Sequence, residues 1–193
     1  MRLGLEGRTA AMVCETGTAW SRACAARFEA EGVCVTAAPL DVDVDVDIDV
    51  TQVAARPPGS LADLGAAEWD GAWDAVESLA ARYRRVVPGM KSRGWGRLIV
   101  VGESSAKALV PTASELDHVV GLAVLGLQKT LAGELGPFGI TVNSVLLPPA
   151  SGDGAQRAPE DVAALVVYLA SVPAAFVNGV AIVCDRGALG SLL

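Results

Sequence analysis

Short apolar runs alternate along the whole chain with longer stretches of helical spacing. Arg8 to Cys14 (RTAAMVC) predicts a strand, the turn-like Glu15-Thr16-Gly17-Thr18 follows it, and an Ala-rich stretch from Ala19 to Glu31 predicts a helix that Gly32 stops. Val33 to Ala38 (VCVTAA) predicts a second strand, so the chain opens as a βαβ unit. Asp41 to Val50 (DVDVDVDIDV) alternates strictly and sets five Asp on one side of an extended chain, with Val or Ile on the other. Same-face carboxylates about 7 Å apart repel, which predicts a sheet edge or a solvated ribbon and not a central strand. Beyond Pro57-Pro58-Gly59, Ala66 to Met90 is spaced as a helix with Trp69, Trp73, Val76, Leu79 and Ala80 as core or interface anchors. Gly96 to Val101 (GRLIVV) predicts a buried strand that delivers Glu103-Ser104-Ser105 to its C-terminal end, where open α/β sheets place their sites. Leu116 to Leu135 is apolar on nearly every side, so a helix there needs cover on both faces, from the sheet and from a second subunit. Ile140 to Leu147 predicts the next strand and Pro159 to Ala170 the next helix, with Glu160 and Asp161 near its positive dipole end. Ala181 to Cys184 predicts the closing strand.

Composition narrows what this α/β pattern can do. A chain of 193 residues, 52% hydrophobic and 19% charged, suits one domain over residues 1–193. Its net charge of −7 disfavours nucleic acid and anionic membrane surfaces as partners. Mean hydropathy is high at +0.43, yet no window holds the roughly 18 unbroken apolar residues of a spanning segment. The longest candidate, Val162 to Val177, is broken by Ser171 and Pro173, and no charged stretch followed by an apolar one opens the chain. The expectation is a cytoplasmic protein with no membrane contact. Cys14, Cys24, Cys34 and Cys184 form no CxxC pair and His118 is the lone histidine, which predicts buried thiols and neither a zinc site nor a disulfide framework. The Asp row lacks the glycine and mixed ligand set of a calcium loop, so no metal is expected.

Lys129 to Pro148 (KTLAGELGPFGITVNSVLLP) resembles the short-chain dehydrogenase/reductase family in its helix end, Leu-Gly-Pro turn and Val-Asn strand. Pro88-Gly89-Met90, Gly94-Trp95-Gly96-Arg97, Pro159-Glu160-Asp161-Val162-Ala163, Asn178-Gly179 and Asp185-Arg186-Gly187 add to a similarity that runs from about Leu5 to Gly190. The resemblance implies a Rossmann-like, doubly wound parallel sheet, an NAD(P) cofactor and an Asn-Ser-Tyr-Lys set. In that set Tyr exchanges the proton, Lys lowers the pKa of Tyr, and Ser polarises the carbonyl.

Carried over residue by residue, the family pattern breaks at its chemistry. Where a Thr-Gly-x-x-x-Gly-x-Gly loop should meet the pyrophosphate, this chain has Cys14 and Glu15, then Ala19 and Ser21 for the later glycines, with Gly17 out of place. Glu15 adds repulsion and Trp20 bulk to that turn. Tyr falls on Asp117 and Lys on Gly121, the Asn falls on Ala75 or Val76, and Ser104, or Ser105, is the sole survivor. His118, next to Asp117, is of a residue type that can exchange protons but points about 100° away on a helix. Ala38 and Pro39 stand where an acid or base would select the ribose. The chain is also short. One crossover helix is expected to be missing between Asp41 and Trp69, Ala54 to Gly59 replaces the Asn-Asn-Ala-Gly turn, and only Pro149 to Ala158 remains of the substrate-covering segment.

Three functions fit these readings. The first is a catalytically inactive subunit that binds no cofactor and pairs with an active homologue, or with itself, through helices 66–90 and 116–135. The second is an active NAD(P)-dependent oxidoreductase, or an isomerase or lyase, that uses Ser104, Asp117 or Glu103 in an altered way. The third is a decayed product of the family with no defined role.

Overall fold

The computed structural model describes residues 2–14, 18–37, 45–53, 60–107, 114–148 and 159–185. Six parallel strands, β1 (Thr9–Val13), β2 (Cys34–Ala37), β3 (Ile48–Gln52), β4 (Gly96–Glu103), β5 (Ile140–Leu147) and β6 (Ala181–Val183), lie in the order β2-β1-β3-β4-β5-β6. Helix α1 (Ala19–Ala30) joins β1 to β2, α2 (Ala66–Arg93) joins β3 to β4, α3 (Glu115–Leu135) joins β4 to β5, and α4 (Pro159–Ala170) joins β5 to β6. Alternation along the strands divides the core into two apolar layers. Ala10, Ile48, Val50 and Ile99 face α1 and α4, and Ala11, Leu98, Val100 and Val142 face α2 and α3. The expected Rossmann-like doubly wound class is the class observed.

Two expectations about the Asp row and the crossover change. Residues 41–44 lie outside the described residues, but β3 begins inside the Asp row and runs between β1 and β4, with Ala11 opposite Asp49 on one side and Leu98 on the other. Asp49 is 0% exposed. It escapes the predicted edge because the Arg82 guanidinium of α2 meets it, with Nε and Nη2 each 2.8 Å from Oδ2. Thr51 donates to Oδ1 at 2.6 Å. Burial pushes the Asp49 carboxyl up and the guanidinium opposes that shift. Asp47 is also held, by the backbone amide of Thr9 at 3.1 Å and by Arg8 and Arg93 at 3.4 and 3.1 Å, and Asp45 pairs with Arg93 at 2.6 Å. In the described part of the row, Asp45, Asp47 and Asp49 each meet a guanidinium, which offsets the repulsion that argued for an edge.

Only residues 38–47 separate β2 from β3, short of the dozen or so that a parallel crossover takes. Against a doubly wound order of 3-2-1-4-5-6, the loss covers both a crossover helix and the strand that would flank β2. β2 is therefore an edge, with Cys34 exposed on it. The family-like residues in the other corners are braces. Gly94 ends α2 at φ +64°, and a Cβ on Gly139, itself at φ +72°, would stand 2.4 Å from the Gly94 carbonyl oxygen. Asn178 accepts from the Val142 amide at 2.8 Å and donates to the Ala132 carbonyl at 2.9 Å. Asn143 donates to Val177 O at 2.8 Å and accepts from Val180 N at 3.2 Å. Together they tie β5, α3 and the approach to β6.

Burial bears on three further expectations. α3, by length and composition apolar enough to cross a membrane, buries one face (Leu116, Val120, Val124, Ala132, Leu135) on the sheet and leaves Leu122 50% exposed. Of the paired tryptophans, Trp69 is half-buried and Trp73 is 47% exposed. The cysteines form no disulfide, but only Cys24 is fully buried, where burial pushes its thiol up to about 12.

Removing one member of the buried pair should be far worse than removing both. Arg82→Met leaves the Asp49 charge without its guanidinium and is expected to cost about 3–5 kcal/mol, whereas Asp49→Leu with Arg82→Met should recover most of that in chemical denaturation. Thiol labelling at pH 8 should modify Cys34 at once and Cys24 only on unfolding, because a raised pKa leaves little thiolate below it. Rapid native labelling of Cys24, read by mass spectrometry, would contradict its placement.

Candidate functional site

The C-terminal ends of β3, β4 and β5 meet α3 around a cavity of about 30 Å³. Its floor is Val100, Gly102 and Leu146, its roof is Val120, Gly121, Val124 and Leu125, and its polar rim is Glu103, Ser105, Asp117 and Ser144. The strand end that carries this rim continues into a short turn, Ser104–Ala106, that α3 packs against.

Of the residues singled out from sequence, Asp117 and Gly121 sit together at this cavity, and Ser105 joins them. Ser104 does not line it. Its side chain is buried elsewhere, and the Oγ atoms of both serines lack a hydrogen-bond partner among the described residues. The surviving serine at the cavity is thus Ser105, and Glu103 stands beside it. Asp117 lies in the first turn of α3, where the helix dipole favours a carboxylate, and its amide donates to Ser114 O at 3.0 Å. His118 turns away from the cavity, as the helical geometry predicts, and its Nδ1 bonds to the Ser105 carbonyl at 2.5 Å. Since a carbonyl only accepts, Nδ1 carries the proton.

Gly121 is a point of closest packing. A Cβ built on it would stand 2.5 Å from the Ala106 Cβ and 2.9 Å from the Ala106 Cα. The position that the resemblance gives to Lys has no room for any side chain while α3 keeps this distance from the turn. Two residues that sequence reasoning missed support the same wall. Gln128, buried at 2% exposure, donates to Val180 O at 2.8 Å, and Ser144 donates to its Oε1. A glutamine on an otherwise apolar helix face was the available signal.

At the opposite side of the sheet order, α1 begins where β1 and β3 diverge, at the switch point where such sheets bind ligands. Glu15 and Gly17 lie outside the described residues, as do 38–39, 54–59 and 149–158, so the ribose position, the replaced turn and the covering segment predicted from sequence are not described. The fit to a pyrophosphate is read from the first turn of α1. Thr18 Oγ1 accepts from the Ser21 amide at 3.3 Å, and the Ser21 hydroxyl returns to Thr18 O at 3.0 Å. The Ser21 amide, third in the helix, is thus capped by Thr18, and Ser21 carries a side chain where the resemblance places a glycine. Cys14 is half-buried at the end of β1, and Ala19 is the first residue of α1. Trp20, expected as bulk in the loop, is 3% exposed and packs in the core with Met12 and Cys24. Ala75 and Val76, where the family Asn was mapped, are half-buried on α2. Among the described residues no group of His, Cys, Asp and Glu could hold a metal.

The sheet order, the paired helical layers and a cavity at the strand ends define a Rossmann-like α/β protein of the doubly wound class. The profile of the family described as enoyl-(acyl carrier protein) reductase matches residues 6–156. Human dehydrogenase/reductase SDR family member 4 is 32% identical over 152 residues, 67% of this chain and 54% of that protein. The 3-alpha-(or 20-beta)-hydroxysteroid dehydrogenase of Mycobacterium tuberculosis is 32% identical over 152 residues, 69% of this chain and 57% of that one. In fold, L-sorbose reductase from Gluconobacter frateurii, complexed with NADPH and L-sorbose, matches with a TM-score of 0.81 at 21% identity, covering 100% of both chains. Gluconate 5-dehydrogenase from Burkholderia cenocepacia, in complex with NADP and tartrate, matches at 0.80 and 17% identity, covering 98% of both. The chain belongs to the short-chain dehydrogenase/reductase family, a family of oxidoreductases. It spans about half the length of the curated relatives it matches.

Gly121→Ala is expected to lower stability by about 1–3 kcal/mol through overpacking against Ala106. Adding Ala106→Gly should restore only part of it, because the Ala106 Cα remains 2.9 Å from the new methyl. A neutral Gly121→Ala in urea unfolding would show that α3 can retreat and that the wall is soft.

Proposed function

We propose that this member of the family is a partner subunit with no hydride-transfer chemistry of its own. The observation that carries this reading is the close approach of Gly121 to Ala106, which leaves no space for a lysine side chain at that position. Asp117 occupies the proton-transfer position, and an ionised carboxylate only accepts hydrogen bonds. Ser21, in place of a glycine at the start of α1, supports the same reading, in which NAD(P) is not a ligand. The outer faces of α2 and α3, where Trp73 and Leu122 are exposed, are the surface through which it pairs with an active short-chain dehydrogenase/reductase or with a second copy.

A second reading is an active NAD(P)-dependent oxidoreductase, or an isomerase or lyase, that works with non-standard residues. The relatives favour it: they are named as dehydrogenases and reductases, and the two structural neighbours carry NADPH or NADP. Glu103, Ser105 and Asp117 are the groups this reading would use.

Titration of the cofactor's own fluorescence separates the two, since Trp20 is a core residue and a poor reporter of the loop. The subunit reading expects no saturable binding of NADH or NADPH up to millimolar protein. Micromolar binding would replace it with the second reading. For the pairing surface, Trp73→Glu with Leu122→Glu is expected to turn a self-dimer into a monomer, or to abolish co-purification with an active homologue, without a change in the circular dichroism spectrum.

A further inference from the structure

We propose that the partner on the outer face of α2 and α3 is a second copy of this chain, docked by an antiparallel crossing of α2 on α2 at Ala80 and Ala81. The inference rests on the pairing surface of the subunit reading and chooses between its two partners. What carries it is the order of charges along α2. Its acids, Glu68, Asp70, Asp74 and Glu77, all precede Leu79, and all of its bases follow that residue. By helical spacing, the face opposite buried Leu79, Val86 and Met90 presents Trp73, Glu77, Arg84 and Pro88, all exposed, with Ala80 and Ala81 half-buried at its middle. Glu77 stands three residues before Ala80 and Arg84 three after Ala81, and Trp73 and Pro88 stand seven before and seven after. A two-fold axis between Ala80 and Ala81 therefore sets Glu77 of each copy against the partner's Arg84, and Trp73 against the partner's Pro88. Alanines at the crossing let the two helices approach closely.

Neither charge is used within the chain. Among the described residues, neither the Glu77 carboxylate nor the Arg84 guanidinium has a hydrogen bond or an ion pair, and no residue three or four positions from either carries the opposite charge. Attraction to the helix dipole acts only in the first and last turns, and both residues lie in the middle of a 28-residue helix. Each copy carries a net charge of −7, so a face that matched like with like would hold two copies apart. A charge order that reverses about its own midpoint is met by an identical helix running the other way. α3 lies on the same axis. It runs beside α2 in the same direction, each joining one parallel strand to the next, and Lys91 on Glu134 at 3.4 Å marks a common height. Ten residues back along the two helices stand Ala81 and Val124, so the axis passes the uncharged outer residues Leu122, Ala123 and Gly126. Gly126 is exposed, and a Cβ on it would meet nothing of this chain within 4 Å. A glycine inside a helix weakens it, and a second helix crossing close by gives the position a use.

The test is the mass of the full-length chain, measured by light scattering during size-exclusion chromatography at low salt and micromolar concentration. The unaltered chain is expected to be a dimer. Glu77→Arg leaves the face basic at both positions and Arg84→Glu leaves it acidic at both, so each should weaken self-association about tenfold or more. Mixed in equal amounts, the two variants should pair with each other and recover the dimer, and so should a single chain that carries both changes. Recovery on mixing also shows that each variant is folded, and circular dichroism checks each one alone. A monomeric unaltered chain, single variants that dimerise as well as the unaltered chain, or folded variants that stay apart when mixed would overturn the proposal. NADPH binding measured in the same samples keeps this inference apart from the subunit reading. A dimer that binds the cofactor defeats only that reading, and a monomer that binds none but co-purifies with an active homologue defeats only this one.

Discussion

The pairing of Asp49 with Arg82 is the interaction on which the shortened sheet depends. With so few residues between β2 and β3, the Asp row enters the sheet at its middle, beside β1. A carboxylate there, away from water, needs a buried counter-charge. Arg82 supplies it from α2, and reaching Asp49 fixes the rotation of that helix over the sheet. Tyr83, the next residue along the helix, is then buried as well, and the apolar remainder of the face, Leu79, Val86 and Met90, packs down around the pair. The outward face that carries Trp73 follows from the same rotation.

Asn143, Asn178, Gly94 and Gly139 match the family because the corners they brace are common to the fold. Each either satisfies buried backbone groups or permits two segments to touch. None of them lines the strand-end cavity.

At the cavity the direction of change is consistent. Gly121 closes the place for a cation, Asp117 and Glu103 bring negative charge, and Ser105 and Ser144 add hydroxyls. α3 is a close-packed wall at Gly121, locked by Gln128 to β5 and the approach to β6.

The apolar periodicity by itself determined the element order, and the family resemblance of Lys129 to Pro148 implied the doubly wound class and singled out Asp117 and Gly121, because strand and helix periods and motif spacing are local properties of the chain. It failed at Asp49, where alternation pointed to a solvated edge, because the decisive partner lies 33 residues away on another element. It failed at Ser104 against Ser105 because strand-end orientation is set by the turn that packs on α3. The fate of Trp20, expected in a loop and found in the core, turned on where α1 docks. Only the tertiary structure decided which face of each segment meets water, since burial of a charge, a hydroxyl or an indole depends on what other elements bring to it.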